Sequence, residues 1–168
     1  AFERKLPCVS MAPLLRPVLD AIDPSDPTYA RDAARLKALN AQRAEAAAAY
    51  FRANAGEWDR IRALHVDEAE VERALTELLP PPPLGDVLDI GTGTGRMLLL
   101  LGARARRGVG IDASREMLSV ARANLEPAGL GHLSVRQGDM YQLPWPEASF
   151  DLVVIHMVLH FADDPAAA

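Results

Sequence analysis

Apolar positions along the chain change their rhythm once, at Pro80-Pro81-Pro82-Pro83. Residues 1–27 are irregular, because Pro7, Pro13, Pro17, Pro24 and Pro27 break them, with room for a short helix around Leu14-Leu15 and Val18-Leu19. Ser25-Asp26-Pro27 reads as a helix cap followed by proline at the first helical position. From Thr28 to about Asn54 nearly every residue is a good helix former, which predicts one long helix ended by Gly56. A short second helix carries Trp58, Ile61 and Leu64 on one face. Asp67 caps a third, whose apolar side is Val71, Leu75, Leu78 and Leu79, with Glu70 as the capping-box partner. The four prolines cannot continue a helix and mark a boundary.

Beyond that boundary short apolar runs alternate with helical stretches. Strands are predicted at Asp86–Ile90, Gly108–Ile111, Leu133–Arg136 and Phe150–Ile155. Helices are predicted from Gly95 to Ala105 and from the Ser114 cap to about Leu125, and 138–148 reads as a loop. Strand–helix alternation with unbroken apolar strands predicts an α/β fold, a doubly wound parallel sheet covered on both faces. The regions are then an irregular segment at 1–27, a helical linker or lid at 28–79, a Pro-rich linker at 80–85 and the sheet domain at 86–168. Asp163-Asp164-Pro165-Ala166-Ala167-Ala168 reads as the start of a helix that goes no further. Four strands alone leave a long open edge, so truncation is expected, and Ala1 in place of Met points to a cut N-terminus.

Composition narrows the partners. The 168 residues are 49% hydrophobic but only 5% aromatic, so the core is aliphatic. A net charge of −5 with no basic patch argues against nucleic-acid binding by this chain. No run is long and apolar enough to span a bilayer, and the N-terminus makes a poor signal peptide. Cys8 is the lone cysteine, so no disulfide framework forms within the chain and a reducing, cytoplasmic setting is expected. Oligomeric state is not legible.

The chemistry begins at Val87-Leu88-Asp89-Ile90-Gly91-Thr92-Gly93-Thr94-Gly95-Arg96-Met97. A strand, a glycine turn and a helix start bring backbone N–H groups up to a ligand at a helix N-terminus. A P-loop is excluded, since no Gly-Lys-Ser/Thr ending follows. A dinucleotide turn needs a small third residue where Arg96 stands, which counts against NAD. The second strand ends in Gly110-Ile111-Asp112, an acidic residue placed to accept from both ribose hydroxyls. The third ends in Gly138-Asp139-Met140, where a carboxylate can accept from an adenine amino group and the next N–H can donate to a ring nitrogen.

These pieces, with Met117-Leu118, Gly138–Leu143 and Ser149–Val154, resemble the N-terminal half of class I S-adenosylmethionine-dependent methyltransferases over residues 85–165. The stretch Met157-Val158-Leu159-His160-Phe161 with Asp163-Asp164-Pro165 resembles the small-molecule and quinone-type branch. The resemblance implies an incomplete Rossmann-like sheet of about four strands behind an N-terminal helical extension. It implies S-adenosyl-L-methionine as cofactor. Asp89 would hold its ammonium, and Gly91, Thr92, Gly93 and Gly95 would form the close-approach turn. Asp112 would bind the ribose with Ala113 beside it. Met117 would pack near the adenine, and Asp139 and Met140 would read it. Ile155 and His156 would lie near the methyl group, with His156 as the substrate-side and catalytic candidate; His65, His132 and His160 are read as structural.

Ala47–Phe51, Ala55–Ile61 and Leu64–Val66 resemble the linker of bacterial proteins that fuse an arsenic-repressor-type winged helix to such a domain. Leu14-Leu15-Arg16-Pro17 would then be the tail of the winged helix, while residues 1–12 match no family. Tyr50, Phe51 and Trp58 are read as packing helices onto the sheet in preference to forming a lid. A lone cysteine argues against arsenite as acceptor, and Ile155-His156-Met157 lacks the Pro-Pro-aromatic ending of amino-methylating enzymes. The function expected is methyl transfer to a small-molecule acceptor, weak or absent in this chain alone. The alternative is a cofactor-sensing domain of a transcriptional regulator whose winged helix, outside this chain, binds DNA.

Overall fold

The computed structural model describes residues 17, 23, 26–64, 67–162 and 164–166, with the side chain of residue 44 excepted. Cys8, Leu14-Leu15, Ser25, His65 and Asp163 lie outside the described residues. The chain divides into two compact units, Ala1–Arg43 and Ala44–Ala168.

In the first unit the cap forms as expected: the Asp26 carboxylate accepts from Thr28 N at 2.7 Å and Tyr29 N at 3.3 Å. Pro27 occupies the first helical position of α1 (Pro27–Asn54), whose Ala-rich sequence keeps it helical although its first turns are exposed.

In the second unit a 3-10 turn (Ala55–Glu57) follows, then α2 (Trp58–Ala63) and α3 (Glu68–Leu78). Asp67 caps α3 by accepting from Ala69 N and Glu70 N. The predicted face of α2 holds only in part. Trp58 and Ile61 are half-buried, but Leu64 is 74% exposed and Arg62 is buried in its place. Arg62 is drawn inward by carboxylates, donating to Glu68 at 2.7 Å and Asp59 at 3.3 Å. A buried guanidinium is tolerated when so paired.

The sheet domain runs β1 (Asp86–Ile90), α4 (Arg96–Gly102), β2 (Arg107–Asp112), α5 (Arg115–Leu125), β3 (Leu133–Gln137) and β4 (Leu152–Ile155). Among the described residues all four strands are parallel, in the order β3-β2-β1-β4. Coverage of both faces holds for the central strands β1 and β2, which are buried almost throughout. It does not hold for β3 and β4, which lie at the sheet edges: Ser134, Arg136 and Val153 are exposed.

Alternation along β1 divides the core. Val87 joins Leu84, Met97, Leu101 and Val154 on one face, while Leu88 and Ile90 join Val109 and Ile111 on the other. Gly110 leaves room where Leu98 and Thr92 press onto β2, since a Cβ there would lie 2.8 Å from Leu98 Cδ1. Leu98 is 1% exposed, so Leu98→Ala is expected to cost about 3 kcal/mol, read as a lower urea midpoint at unchanged m-value.

Candidate cofactor and acceptor site

The parallel register brings the C-terminal ends of β1, β2 and β4 side by side, pairing Ile90 with Ile111 and with Ile155. At this edge lies a cavity of about 840 Å³. Open parallel sheets bind ligands there, because the strand ends deliver loops and helix N-termini to one place.

Asp89 is 1% exposed. Its Oδ2 accepts from Thr92 Oγ1 at 2.6 Å, while Oδ1 is buried without a partner. Burial pushes its carboxyl up to about 7; the Thr92 hydroxyl opposes this and the charge of Asp112 adds to it. Asp112 joins β2 to the glycine turn, accepting from Gly93 N at 2.9 Å and from Ser114 N at 2.8 Å. Burial raises its carboxyl too, against those hydrogen bonds. Ser114 caps α5 by accepting from Met117 N at 3.2 Å.

The glycines divide their tasks. Gly91 and Gly93 line the cavity and Gly95 does not. A Cβ on Gly91 would collide with the Val158 side chain. Gly93 has φ +53° and faces open space, its nearest neighbours being Gly91 O and Trp58 Nε1 at 4.0 Å. Gly95 has φ +84°, and a Cβ there would meet Ala121 Cβ at 3.3 Å. Gly95 thus lets α5 approach the turn.

Thr92, Ala113, Met117, Asp139, Met140 and His156 all line the cavity. Asp139 is exposed and closes its own turn by accepting from Tyr141 N at 2.9 Å. Ile155 does not line the cavity; it packs against Leu88, Ile90, Val109 and Ile111. His160 also lies outside the lining, 3.9 Å from the Phe161 ring centroid.

The aromatic residues correct the sequence reading. Phe51 and Trp58 line the cavity together with Phe161. Phe51 meets Trp58 and Phe161 edge-on, each at 5.1 Å, a favoured ring geometry. Tyr50 stays half out of the protein beside them.

A polar network behind the turn was not found from sequence. Thr94 Oγ1 donates to Asp59 at 2.6 Å, and Arg96 grips Glu72 with two nitrogens, Nη2 to Oε2 at 2.8 Å. The only sequence signal was Arg96 standing where a dinucleotide turn needs a small residue. His156 is half-buried beside this network; burial and the Arg62 charge lower its basicity, while Glu68 and Glu72 raise it.

These features fit a cationic nucleoside ligand: an orphaned buried carboxylate oxygen, an open glycine backbone and a second acid at the next strand end. Sheet order, glycine turn and acidic strand ends together define a Rossmann-like methyltransferase fold, a four-stranded parallel sheet with flanking helices. Residues 88–168 match the family described as methyltransferase domain. Nocamycin O-methyltransferase of Saccharothrix syringae is 39% identical over 102 residues, covering 58% of this chain and 36% of that protein. Demethylmenaquinone methyltransferase of Deinococcus radiodurans is 40% identical over 99 residues, covering 56% of this chain and 39% of that protein. Among solved structures, the complex of DhpI with S-adenosylhomocysteine superposes with TM-score 0.57 at 29% identity, covering 73% of this chain and 57% of that one. The chain thus spans little more than a third of the length of these two curated relatives. No described helix is long and apolar enough to cross a membrane.

Proposed function

We propose that this chain transfers a methyl group from S-adenosylmethionine to a small-molecule acceptor by in-line displacement. The observation that carries the reading is Asp89 Oδ1, buried at the cavity without a partner. A buried carboxylate oxygen left so is costly, and an ammonium group satisfies it. Two of the relatives named above are methyltransferases of small molecules by their names. The regulator alternative gains nothing from these matches.

The cofactor supplies a methyl group on a positive sulfonium, an electrophile with a good leaving group. The protein's part is placement. Asp89 takes the ammonium. Asp112 keeps its hold on Gly93 N and Ser114 N, and its remaining lone pairs accept from the ribose hydroxyls. Gly91, Thr92 and Gly93 provide the close backbone approach. Met117 and Ala113 would border the adenine, whose amino group would donate to Asp139 and whose ring nitrogen would accept from the Met140 N–H. His156 stands on the acceptor's side, its basicity lowered by burial and the Arg62 charge, and can take a proton when the acceptor must lose one.

The test is incubation with methyl-labelled S-adenosylmethionine and a panel of small hydroxyl, thiol and amine acceptors, with S-adenosylhomocysteine followed by mass spectrometry. Acceptor-dependent release is expected. Cofactor binding with no release across the panel would count against catalysis.

A further inference from the structure

Beside the main cavity lies a smaller one of about 140 Å³. The two share Arg62, Arg96, Met97, His156 and Met157, and α3 completes the smaller with Glu68, Val71 and Glu72. A cavity of roughly this size holds one benzene ring. Its charges are already matched, Arg62 to Glu68 and Arg96 to Glu72. No lone carboxylate is left there for an ammonium ligand, and no lone guanidinium for an anion. One polar ring is left over. His156 meets no hydrogen-bond partner among the described residues, and it lies where the two cavities meet. The next residue, Met157, is held at φ +56°, a conformation that long side chains rarely adopt and that collects at functional sites.

We propose that the smaller cavity seats the methyl acceptor, and that the acceptor is a neutral hydroxyl compound whose apolar body is about one six-membered ring in size. This rests on the methyl-transfer reading above and names its substrate class. The ring lies against Val71, Met97 and Met157, and the hydroxyl points to His156. In the transfer, a lone pair of the hydroxyl oxygen forms the new O–CH₃ bond. The S–CH₃ bond breaks and its electron pair stays on sulfur as a neutral thioether. The hydroxyl proton passes to His156 and from there to solvent. Burial and the facing Arg62 keep the imidazole neutral and able to take it, against the opposing pull of Glu68 and Glu72.

The experiment is titration of phenol, cyclohexanol, cyclohexylammonium and benzoate into the full chain saturated with S-adenosylhomocysteine, followed by ligand-observed NMR. Phenol and cyclohexanol are expected to bind and compete, at least tenfold tighter than the two charged probes. Val71→Trp, which fills the cavity, is expected to weaken phenol at least tenfold at unchanged S-adenosylhomocysteine affinity. If Val71→Trp does not fold, Val71→Ala serves, and is expected to shift preference toward 4-ethylphenol. A chain that takes S-adenosylhomocysteine but not phenol, or prefers a charged probe, or whose phenol binding ignores position 71, overturns this assignment and leaves methyl transfer standing. Failure to bind S-adenosylhomocysteine overturns the reading beneath it.

Discussion

Asp112→Ala is expected to weaken S-adenosylhomocysteine binding at least a hundredfold in calorimetric titration. The carboxylate sits at the end of β2, where it already accepts from Gly93 N and Ser114 N. In the bound state its other lone pairs would take two ribose hydroxyls, and hydrogen bonds to a charged group contribute about 1.5–3 kcal/mol each. Loss of both is about 3 kcal/mol or more, against the roughly 2.7 kcal/mol that a hundredfold represents. Truncation also strips Gly93 N of its acceptor and loosens the turn. Asp112→Asn separates the two effects, since its one carbonyl oxygen can keep either Gly93 or Ser114 but carries no charge. An intermediate affinity is expected for it, with melting close to the parent protein. Unchanged affinity in Asp112→Ala, in a chain that remains folded by circular dichroism, would remove Asp112 from the site.

Asp89 predicts a pH dependence in both stability and binding. Its carboxyl lies near 3.8 when unfolded and at about 7 in the folded chain, where burial is the cause. Between those values the folded state holds a proton that the unfolded state has lost. Stability therefore falls as pH rises from about 4 to 7, and is lowest above the folded value. The two values differ by about 4 kcal/mol in the interaction of the charged form. Asp112, raised for the same reason, adds a decline of the same sign. Asp89→Asn keeps a partner for Thr92 but cannot ionise. Its urea midpoint is expected to lie near the parent's at pH 4 and well above it at pH 8.

Binding runs the other way. An ammonium needs the ionised carboxylate, so S-adenosylhomocysteine affinity is expected to rise up to tenfold per pH unit below 7 and to level off above it. In Asp89→Asn the affinity at pH 8 falls and most of the slope disappears. A parent protein whose affinity is flat from pH 5.5 to 8 would show that Asp89 does not meet the ligand's charge.

What was legible in the sequence was local. Asp26, Asp67 and Ser114 were readable as caps because a cap satisfies N–H groups two or three residues away. The strands and the turn after β1 were readable for the same reason, from short apolar runs and alternate glycines. Acidic residues at two strand ends marked the cavity side of the sheet, since strand ends in a parallel sheet share one edge. The rest depended on partners distant along the chain. Arg62 turned inward because Glu68 lies across the α2–α3 turn, and Thr94 reaches Asp59 across 35 residues. Gly95 proved to be a contact for Ala121, and Ile155 a core residue, because helix and strand packing decided where each points. Phe51, Trp58 and Phe161 met at the cavity only once their elements had packed. Periodicity tells a residue which face of its own element it occupies. What that face meets is set by burial and charge pairing between elements, and here those forces, acting across the β3-β2-β1-β4 order, put Asp89, Asp112 and His156 around a single cavity.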